Sequence, residues 1–216
     1  MDMKRNLVFR WLFFFAGLLV LGLGVALTVK GQRFGVGSWD VLHVGLFKQL
    51  GLSIGLWSII MGILIVTASS IGLRELPKIG TFVNLASVGL FIDLFNWLIP
   101  DPHTFVMQFI AFILGVMLLA IGCGIYISAD LGAGPRDTVM LLLSEKLNWS
   151  ITFSRTFMEI VVAVTGFLLG GPIGIGTVII TFALGPIIQI SLRYSQKILH
   201  NILGENQLKG QAHTQF

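Results

Sequence analysis

The sequence predicts an all-α integral membrane protein. We expect six transmembrane helices in an inverted repeat of three plus three, with two short re-entrant half-helices. Three observations predict this fold: an apolar composition, a series of long apolar stretches, and a glycine-rich break that occurs twice. Hydrophobic residues make up 55% of the 216 residues and charged residues only 11%, and the mean hydropathy is +0.91. Soluble domains carry about 25% charged residues, so one globular core could not hide this many apolar side chains from water.

Six apolar stretches are long enough to cross a bilayer as helices, which takes about 20 residues. They cover roughly residues 11–29, 54–72, 79–99, 105–128, 151–170 and 175–194. A charged turn at 74–78 separates the second stretch from the third, and Pro100 and Pro102 end the third because proline cannot continue a helix. The first stretch is longer than the core of a signal peptide and lacks an A-x-A cleavage pattern, so we expect it to remain as a helix.

A glycine-rich break followed by an aspartate occurs twice, each time between a long apolar stretch and a short amphipathic segment. The first copy is Gly35-Val36-Gly37-Ser38-Trp39-Asp40, and the second is Gly132-Ala133-Gly134-Pro135-Arg136-Asp137. Glycine permits a sharp reversal of the chain, and the segments at 36–50 and 135–148 are too polar to cross a bilayer. We therefore expect two half-helices inside the protein, because non-helical backbone at membrane depth needs protein or water around it.

The two breaks define an internal repeat. Asp137 follows Asp40 by 97 residues, and this offset continues without a gap to about residue 69. Further matched positions, some at slightly different offsets, are Ser53 with Ser150, Met61 with Met158, Gly80-Thr81 with Gly176-Thr177, Asp93 with Gln189, and, after three inserted residues, Gly22 and Gly24 with Gly122 and Gly124. The predicted repeats cover 1–99 and 105–195, and a flexible cytoplasmic tail follows at 201–216. Because each repeat holds an odd number of spans, the two are inverted, as in many secondary transporters.

Positive charges set the expected orientation, because cytoplasmic loops carry more Lys and Arg than outer loops do. With the N-terminus inside, eleven of the fourteen Lys and Arg lie on the inner side, and Lys30, Arg33 and Lys48 lie outside. We expect a multi-pass protein of the bacterial inner (plasma) membrane with both termini in the cytoplasm. This bias also explains the net charge of +4, so we expect the lipid bilayer as a partner and no nucleic acid.

Three blocks of sequence within residues 15–195 combine glycines with charged residues. They are Gly22-x-Gly24 with Gly35-x-Gly37-x-Trp39-Asp40; Gly124-Ile125 with Gly132-x-Gly134-Pro135-Arg136-Asp137; and Arg155 and Glu159 followed by Gly170-Gly171-Pro172-x-Gly174-x-Gly176-Thr177 and Gly185-Pro186. Together these blocks resemble the YczE-type family of bacterial integral membrane proteins, in the YczE, YyaS and YitT grouping. The resemblance implies a membrane fold. The family has no settled activity, so the resemblance assigns no functional residue.

Asp40 and Asp137 are the first candidates for a substrate- or ion-binding site. Pro135 suits the first position of a helix, which puts Asp137 in the first turn, and the same register puts Trp39 and Asp40 at the start of the first half-helix. Two interpretations stay open: the aspartates cap helix N-termini, or they line a central cavity and bind a proton, a cation or a polar group. Arg136 pairs with Asp137 or an anionic substrate, or it faces lipid headgroups. The candidate set includes the glycines of the breaks, Gly35, Gly37, Gly132 and Gly134.

Two further sets of polar residues lie inside predicted spans. Arg155 and Glu159 are four residues apart and share a helix face, so they form either a substrate or ion site or a structural ion pair. Asp93, whose repeat partner is Gln189, either takes part in proton coupling or hydrogen-bonds to a neighbouring helix. All four are candidate site residues.

The remaining chemistry favours transport over catalysis. The single cysteine, Cys123, excludes an intramolecular disulfide, the four histidines are dispersed, and no Ser/His/Asp order or GK[ST] phosphate loop occurs. We expect no metal site, no cofactor and no enzyme activity. The predicted function is a secondary transporter or exporter of an unknown small polar solute, with proton or ion coupling as an option. A channel-like pore and a membrane assembly or structural partner without transport activity are the alternatives, and a homodimer is an open option.

Overall fold

In the computed structural model, the regular elements of the described chain are all helical. The described residues are 3–73, 79–132, 134–136, 139, 143, 146–149 and 151–203. The α-helices are α1 (Met3–Lys30), α2 (Ser38–Leu50), α3 (Ile54–Leu73), α4 (Ile79–Leu98), α5 (Phe105–Ser128), α6 (Ile151–Leu168) and α7 (Ile175–Leu203). A short 3-10 turn at Gln32–Phe34 links α1 to α2.

Five of these helices, α1, α3, α4, α5 and α7, are long and apolar enough to cross a membrane. They coincide with five of the six predicted stretches. The sixth stretch, 151–170, corresponds to α6, which has 18 residues and whose apolar part is Thr156–Leu168. Large apolar side chains such as Ile71, Trp97 and Phe182 are exposed on the five long helices, and a surface of this kind suits contact with lipid.

The helices α1 and α5 pack against each other as an antiparallel pair. Gly17 of α1 faces Gly122 of α5, and Gly24 faces Gly115. A Cβ atom at any of these four glycines would overlap the backbone of the opposite helix. Small residues therefore let the two backbones approach closely, which favours association of membrane helices through van der Waals contacts.

The other helices surround this pair. α4 packs against α1 and α3, α7 packs against α5, and α2 packs against α6 and α3. Buried side chains from four helices form one apolar cluster: Val25, Val29, Val44, Ile92 and Leu119. Val44 belongs to α2, whose residues 38–45 are buried, so the first part of this short helix is held inside the bundle.

Each glycine-rich break lies against the start of a helix in the other half of the chain. Gly35 has a φ of 104°, which glycine adopts without steric cost, and a Cβ atom there would overlap Thr177 in the first turn of α7. A Cβ atom at Gly132 would overlap the backbone of Thr81 in the first turn of α4. The first break is thus docked on α7, and the second is docked on α4.

Some predicted features lie outside the described residues: the charged turn at 74–78, Asp137, much of the segment 135–148, and the tail from 204 onward. Within the second segment, Pro135 and Arg136 are helical, which fits a helix that begins at Pro135. The helix α7 continues through Leu203. Residues 201–203, predicted to start the flexible tail, therefore belong to a helix.

Candidate functional site

A cavity of about 180 Å³ is lined by residues from both halves of the chain. Its walls are largely apolar and include Val25, Ile65, Val88, Ile92, Leu119 and Leu184. Polar side chains that reach it are Trp39, His43, Ser58, Asn84, Arg136 and Glu159. Sites for drug-sized ligands usually measure about 300–1,000 Å³, so this cavity suits a smaller molecule.

The first two turns of α2 carry several buried polar side chains, among them Trp39, Asp40 and His43. Trp39 and His43 are one helical turn apart and share the face of α2 that meets the cavity, and Asp40 lies beside them. Their exposed fractions are 4%, 2% and 2%. Trp39 Nε1, Asp40 Oδ1 and both ring nitrogens of His43 have no hydrogen-bond partner among the described residues. Buried polar atoms normally have partners, so this concentration of unsatisfied atoms beside a cavity marks a candidate binding site.

Among the described residues, no hydrogen bond supports the interpretation of Asp40 as a helix cap. The N-cap of α2 is Gly37, which has no side chain to cap the helix. Asp40 Oδ1 is instead 3.9 Å from His43 Nδ1 and 4.0 Å from Arg136 Nη2. These distances are too long for direct hydrogen bonds, but the charge of Arg136 is close enough to attract an ionised Asp40.

Arg136 brings the second break to the first. Its guanidinium carbon lies 5.2 Å from the centre of the Trp39 ring, a cation–π geometry, and its side chain is 45% exposed. Pro135 contributes from the same break, because it lines the cavity and lies near Gly62 of α3. The starts of the two predicted half-helices therefore meet at one point of the cavity.

Burial controls the protonation of the α2 cluster, the buried side chains Trp39, Asp40 and His43, which lies outside the five long apolar helices. Burial raises the pKa of Asp40 to about 6, although the positive charge of Arg136 lowers it and the negative charge of Glu159 raises it further. Burial also lowers the pKa of His43 to about 3, and Arg136 acts in the same direction. Near neutral pH, His43 is therefore uncharged and Asp40 can take up or release a proton.

Glu159 of α6 reaches the same cavity as the α2 cluster. Its side chain is half-buried, and Ser58 and Gly62 line the cavity from α3. The structure thus brings together Trp39, Arg136 and Glu159 at the cavity, with Asp40 next to them. Arg155 lies one turn before Glu159 on α6, but its side chain and all of Asp137 are outside the described part of the molecule.

Asp93 and Gln189 do not join this group. The carboxyl group of Asp93 accepts hydrogen bonds from the Ser53 hydroxyl and from the Gly55 backbone N–H, the latter at 2.8 Å. Ser53 Oγ in turn accepts from Leu56 N at 3.1 Å and so caps α3. Asp93 therefore ties α4 to the start of α3, in agreement with the hydrogen-bonding alternative. Gln189 is exposed on α7.

Comparison with known proteins identifies the family. A family of unknown function, DUF6198, matches residues 8–193. The chain belongs to this family. The uncharacterized membrane protein YczE of Bacillus subtilis is 44% identical over 198 residues, which cover 92% of each of the two chains. The predicted resemblance to YczE-type proteins is thereby confirmed. A membrane-protein relative and five apolar helices together show that this DUF6198 chain is a multi-pass membrane protein.

Two other relatives cover most of the DUF6198 chain as well. An uncharacterized protein of Haemophilus influenzae is 32% identical over 185 residues, or 85% of this chain and 83% of the relative. The uncharacterized protein YyaS of Bacillus subtilis is 28% identical over 179 residues, or 82% of this chain and 88% of the relative. No solved structure matches the chain.

Several polar residues at the cavity are absent from the predicted site, among them Ser58, His43 and Asn84. His43 was dismissed because the four histidines do not cluster in sequence, although its spacing of four from Trp39 and three from Asp40 places it on the same side of α2. Asn84 is buried in α4, a helix apolar enough to cross a membrane, and burying an amide there is costly without a partner. An amide inside a predicted span was therefore a signal that could have been used.

Proposed function

We propose that this protein is a secondary transporter or exporter of a small polar solute, with its binding site in the cavity between two inverted repeats. One observation carries the proposal: the starts of the two predicted half-helices meet, through Trp39 and Arg136, at a cavity lined by both halves. Discontinuous helices that meet at a repeat interface are the usual site architecture of secondary transporters.

Reciprocal contacts support the inverted repeat. Gly115 follows Gly17 by 98 residues and Gly122 follows Gly24 by 98 residues, and the contacts Gly17–Gly122 and Gly24–Gly115 exchange under that shift. The breaks behave in the same way, because the first docks on the start of α7 and the second on the start of α4. These pairings are expected if a two-fold axis relates the halves. Relative to the offset of 97 at the breaks, this alignment of α1 with α5 needs one inserted residue, whereas the alignment predicted from sequence needs three.

The topology follows from this repeat. We assign α6 as the sixth span, so that both termini lie on one side, and the distribution of Lys and Arg puts that side in the cytoplasm of a bacterial plasma membrane. Each end of the bundle has its own polar contact. Lys30 pairs with Asp101 at one end, and Arg10 donates to the Ala129 carbonyl at the other, at 3.2 Å.

In the proposed cycle, one repeat rocks against the other and opens the cavity to each side in turn. Arg136 of the second half contacts Asp40 and Trp39 of the first half. These polar contacts must break and reform each time the two repeats move against each other. Protonation of Asp40 weakens its attraction for Arg136. Proton binding then shifts the equilibrium toward the conformation in which this contact is broken, which offers a route to proton coupling.

Cys123 tests this mechanism, because it lines the cavity and is the single cysteine of the chain. In proteoliposomes of known orientation, a membrane-impermeant thiol reagent should label Cys123 from either side. Cys123→Ser is the control for background labelling. Labelling from one side only, under every condition of pH and ion gradient, would contradict alternating access.

Conductance separates the proposed carrier from the alternatives. A carrier shows two-sided labelling without steady ionic current across a planar bilayer, whereas a channel-like pore shows both labelling and current. An assembly or structural partner shows neither exchange of access nor flux, and it co-purifies with a second protein in fixed ratio.

A further inference from the structure

Arg136 and Trp39 form a donor-rich end of the cavity. Among the described residues, Arg136 makes no hydrogen bond; its interactions are the 4.0 Å approach to Asp40 and the contact with the Trp39 ring. The indole Nε1–H of Trp39 is buried and has no partner in the same part of the chain, and an indole nitrogen can only donate. A planar carboxylate fits these donors, because its two oxygens match the guanidinium fork and can also accept from an indole.

Glu159 gives the same cavity a negative charge. It lines the cavity from α6, and its charge acts on Asp40, which lies next to the cavity. His43 also lines the cavity and stays neutral, because burial lowers its pKa to about 3. Among the described residues, the lining of the polar end therefore holds one guanidinium and one carboxyl group, with the carboxyl group of Asp40 close by, so a ligand with a negative group alone would meet repulsion from the carboxyl groups.

The rest of the cavity is apolar and small. Val88 and Ile92 of α4, with Leu119 of α5, provide aliphatic surface beside the polar groups, and the volume is about 180 Å³. Water gains little from contact with such walls, whereas a short hydrocarbon group gains dispersion and hydrophobic energy there.

We propose that the ligand is a small zwitterion with an apolar body, of the chemical class of aliphatic amino acids, an inference that rests on the proposed transport site. Its carboxylate binds Arg136 and Trp39, its ammonium group binds Glu159, and its hydrocarbon body packs against the aliphatic wall. Each charge of the ligand then meets an opposite charge, and the unsatisfied indole N–H gains a partner. A monocarboxylate leaves Glu159 unpaired, and a monoamine leaves Arg136 unpaired.

Three compounds with one carbon skeleton test this proposal: leucine, 4-methylpentanoate, which lacks the amino group, and 3-methylbutylamine, which lacks the carboxyl group. Each is added to the purified full-length chain in detergent, and Tm is measured. A ligand at about 100 times its Kd should raise Tm by roughly 5 °C or more. We expect this shift with leucine and less than a fifth of it with either single-charge compound.

The variant Glu159→Gln gives the proposal a second readout. It should abolish the shift caused by leucine, because the ammonium group loses its partner, and it should increase the shift caused by 4-methylpentanoate. Asp101→Asn is the matched control, because Asp101 is exposed and pairs with Lys30 away from the cavity; it should keep the wild-type preference. If Glu159→Gln binds leucine as the wild type does, the assignment of the ammonium site is wrong.

The outcomes separate this proposal from that of transport. An equal shift with 4-methylpentanoate or 3-methylbutylamine, or no shift with leucine, overturns the zwitterion. Two-sided labelling of Cys123 needs no ligand, so it can succeed while the zwitterion fails. If labelling fails while leucine still raises Tm, the transport proposal falls and the cavity is a binding site only.

Discussion

Two aspartates in the first half of the chain occupy contrasting surroundings. Asp93 on α4 accepts hydrogen bonds from the Ser53 hydroxyl and the Gly55 backbone, and it fastens the start of α3. Asp40 on α2 is 2% exposed, and its Oδ1 has no hydrogen-bond partner within the described chain. Its nearest charged neighbour is Arg136 at 4.0 Å, across the boundary between the two halves.

The difference separates a structural carboxyl group from one available for function. A carboxyl group that accepts two hydrogen bonds recovers much of the cost of leaving water, whereas one with an unsatisfied buried oxygen reduces stability. Asp93 therefore stabilises the fold, and we infer that Asp40 is kept for what the cavity does. The predictions below test this division, from the largest expected effect to the smallest.

Asp93→Ala should cause the largest loss of stability. It removes both acceptors and leaves Ser53 and Gly55 without their partner, which costs about 2–4 kcal/mol, or roughly 5–10 °C in Tm. Thermal unfolding in detergent measures the change, with Asp101→Asn as an exposed control expected to shift Tm by less than about 2 °C. An Asp93→Ala protein as stable as the wild type would remove the structural half of the comparison.

The labelling rate of Cys123 should depend on pH through Asp40. Burial raises the pKa of Asp40 to about 6, so the group is ionised above pH 6 and protonated below it. Arg136, Glu159 and His43 are the charged or titratable groups that face it. Since Arg136 is held by the ionised form, the labelling rate, divided by that of a free thiol at the same pH, should become about tenfold faster between pH 7.5 and pH 5, a change of about 1.4 kcal/mol.

The control for this profile is Asp40→Asn, whose labelling rate should be independent of pH once it is divided by the rate for a free thiol. A pH dependence of the same size in this variant would show that another group controls access.

Ser53→Ala should cost about 1 kcal/mol, because it removes the cap of α3 and one of the two hydrogen bonds to Asp93. We expect a fall in Tm of about 2–4 °C, smaller than that of Asp93→Ala. In the double variant the two effects should be less than additive, since both residues belong to one hydrogen-bonded cluster. Simple addition of the two shifts would contradict this coupling.

His43→Phe should have the smallest effect on stability. Both ring nitrogens are buried without a partner in the described chain, so an apolar ring of similar shape loses no hydrogen bond and avoids their desolvation. The Tm should stay within about 2 °C of the wild-type value or rise. A fall beyond about 5 °C would show that His43 has a structural partner.

The sequence was sufficient to predict the elements that depend on composition and local backbone chemistry. Apolar length predicted six spans, and five of them are helices long and apolar enough to cross a membrane. The glycines predicted the start of α2 to within two residues, and Pro135 and Arg136 are helical, as a helix that begins at Pro135 requires. For 151–170, length predicted a span; α6 (Ile151–Leu168) has 18 residues, and Thr156–Leu168 is its described apolar part.

What could not be predicted depends on contacts between distant residues. Asp40 and Asp93 are both aspartates in apolar surroundings. Nothing local indicates that Ser53 and Gly55 bond to Asp93, whereas Oδ1 of Asp40 has no hydrogen-bond partner among the described residues. His43 joined the site through its place on a buried half-helix. The α1–α5 glycine contacts likewise could not be predicted without the packed helices. The motifs Gly22–Gly24 and Gly122–Gly124 look alike in sequence, but only Gly24 and Gly122 make equivalent contacts.

The most direct test of this division is a joint measurement of Cys123 labelling and Tm on Asp40→Asn and Asp93→Asn. The amides keep the shape of each side chain and remove its charge. We predict that Asp40→Asn keeps or raises the wild-type Tm and changes the labelling rate at pH 7.5 by at least about tenfold. Asp93→Asn should lower Tm and leave the labelling rate unchanged. The opposite pattern, with access altered at Asp93 and stability lost at Asp40, would contradict the assignment of the cavity as the functional site.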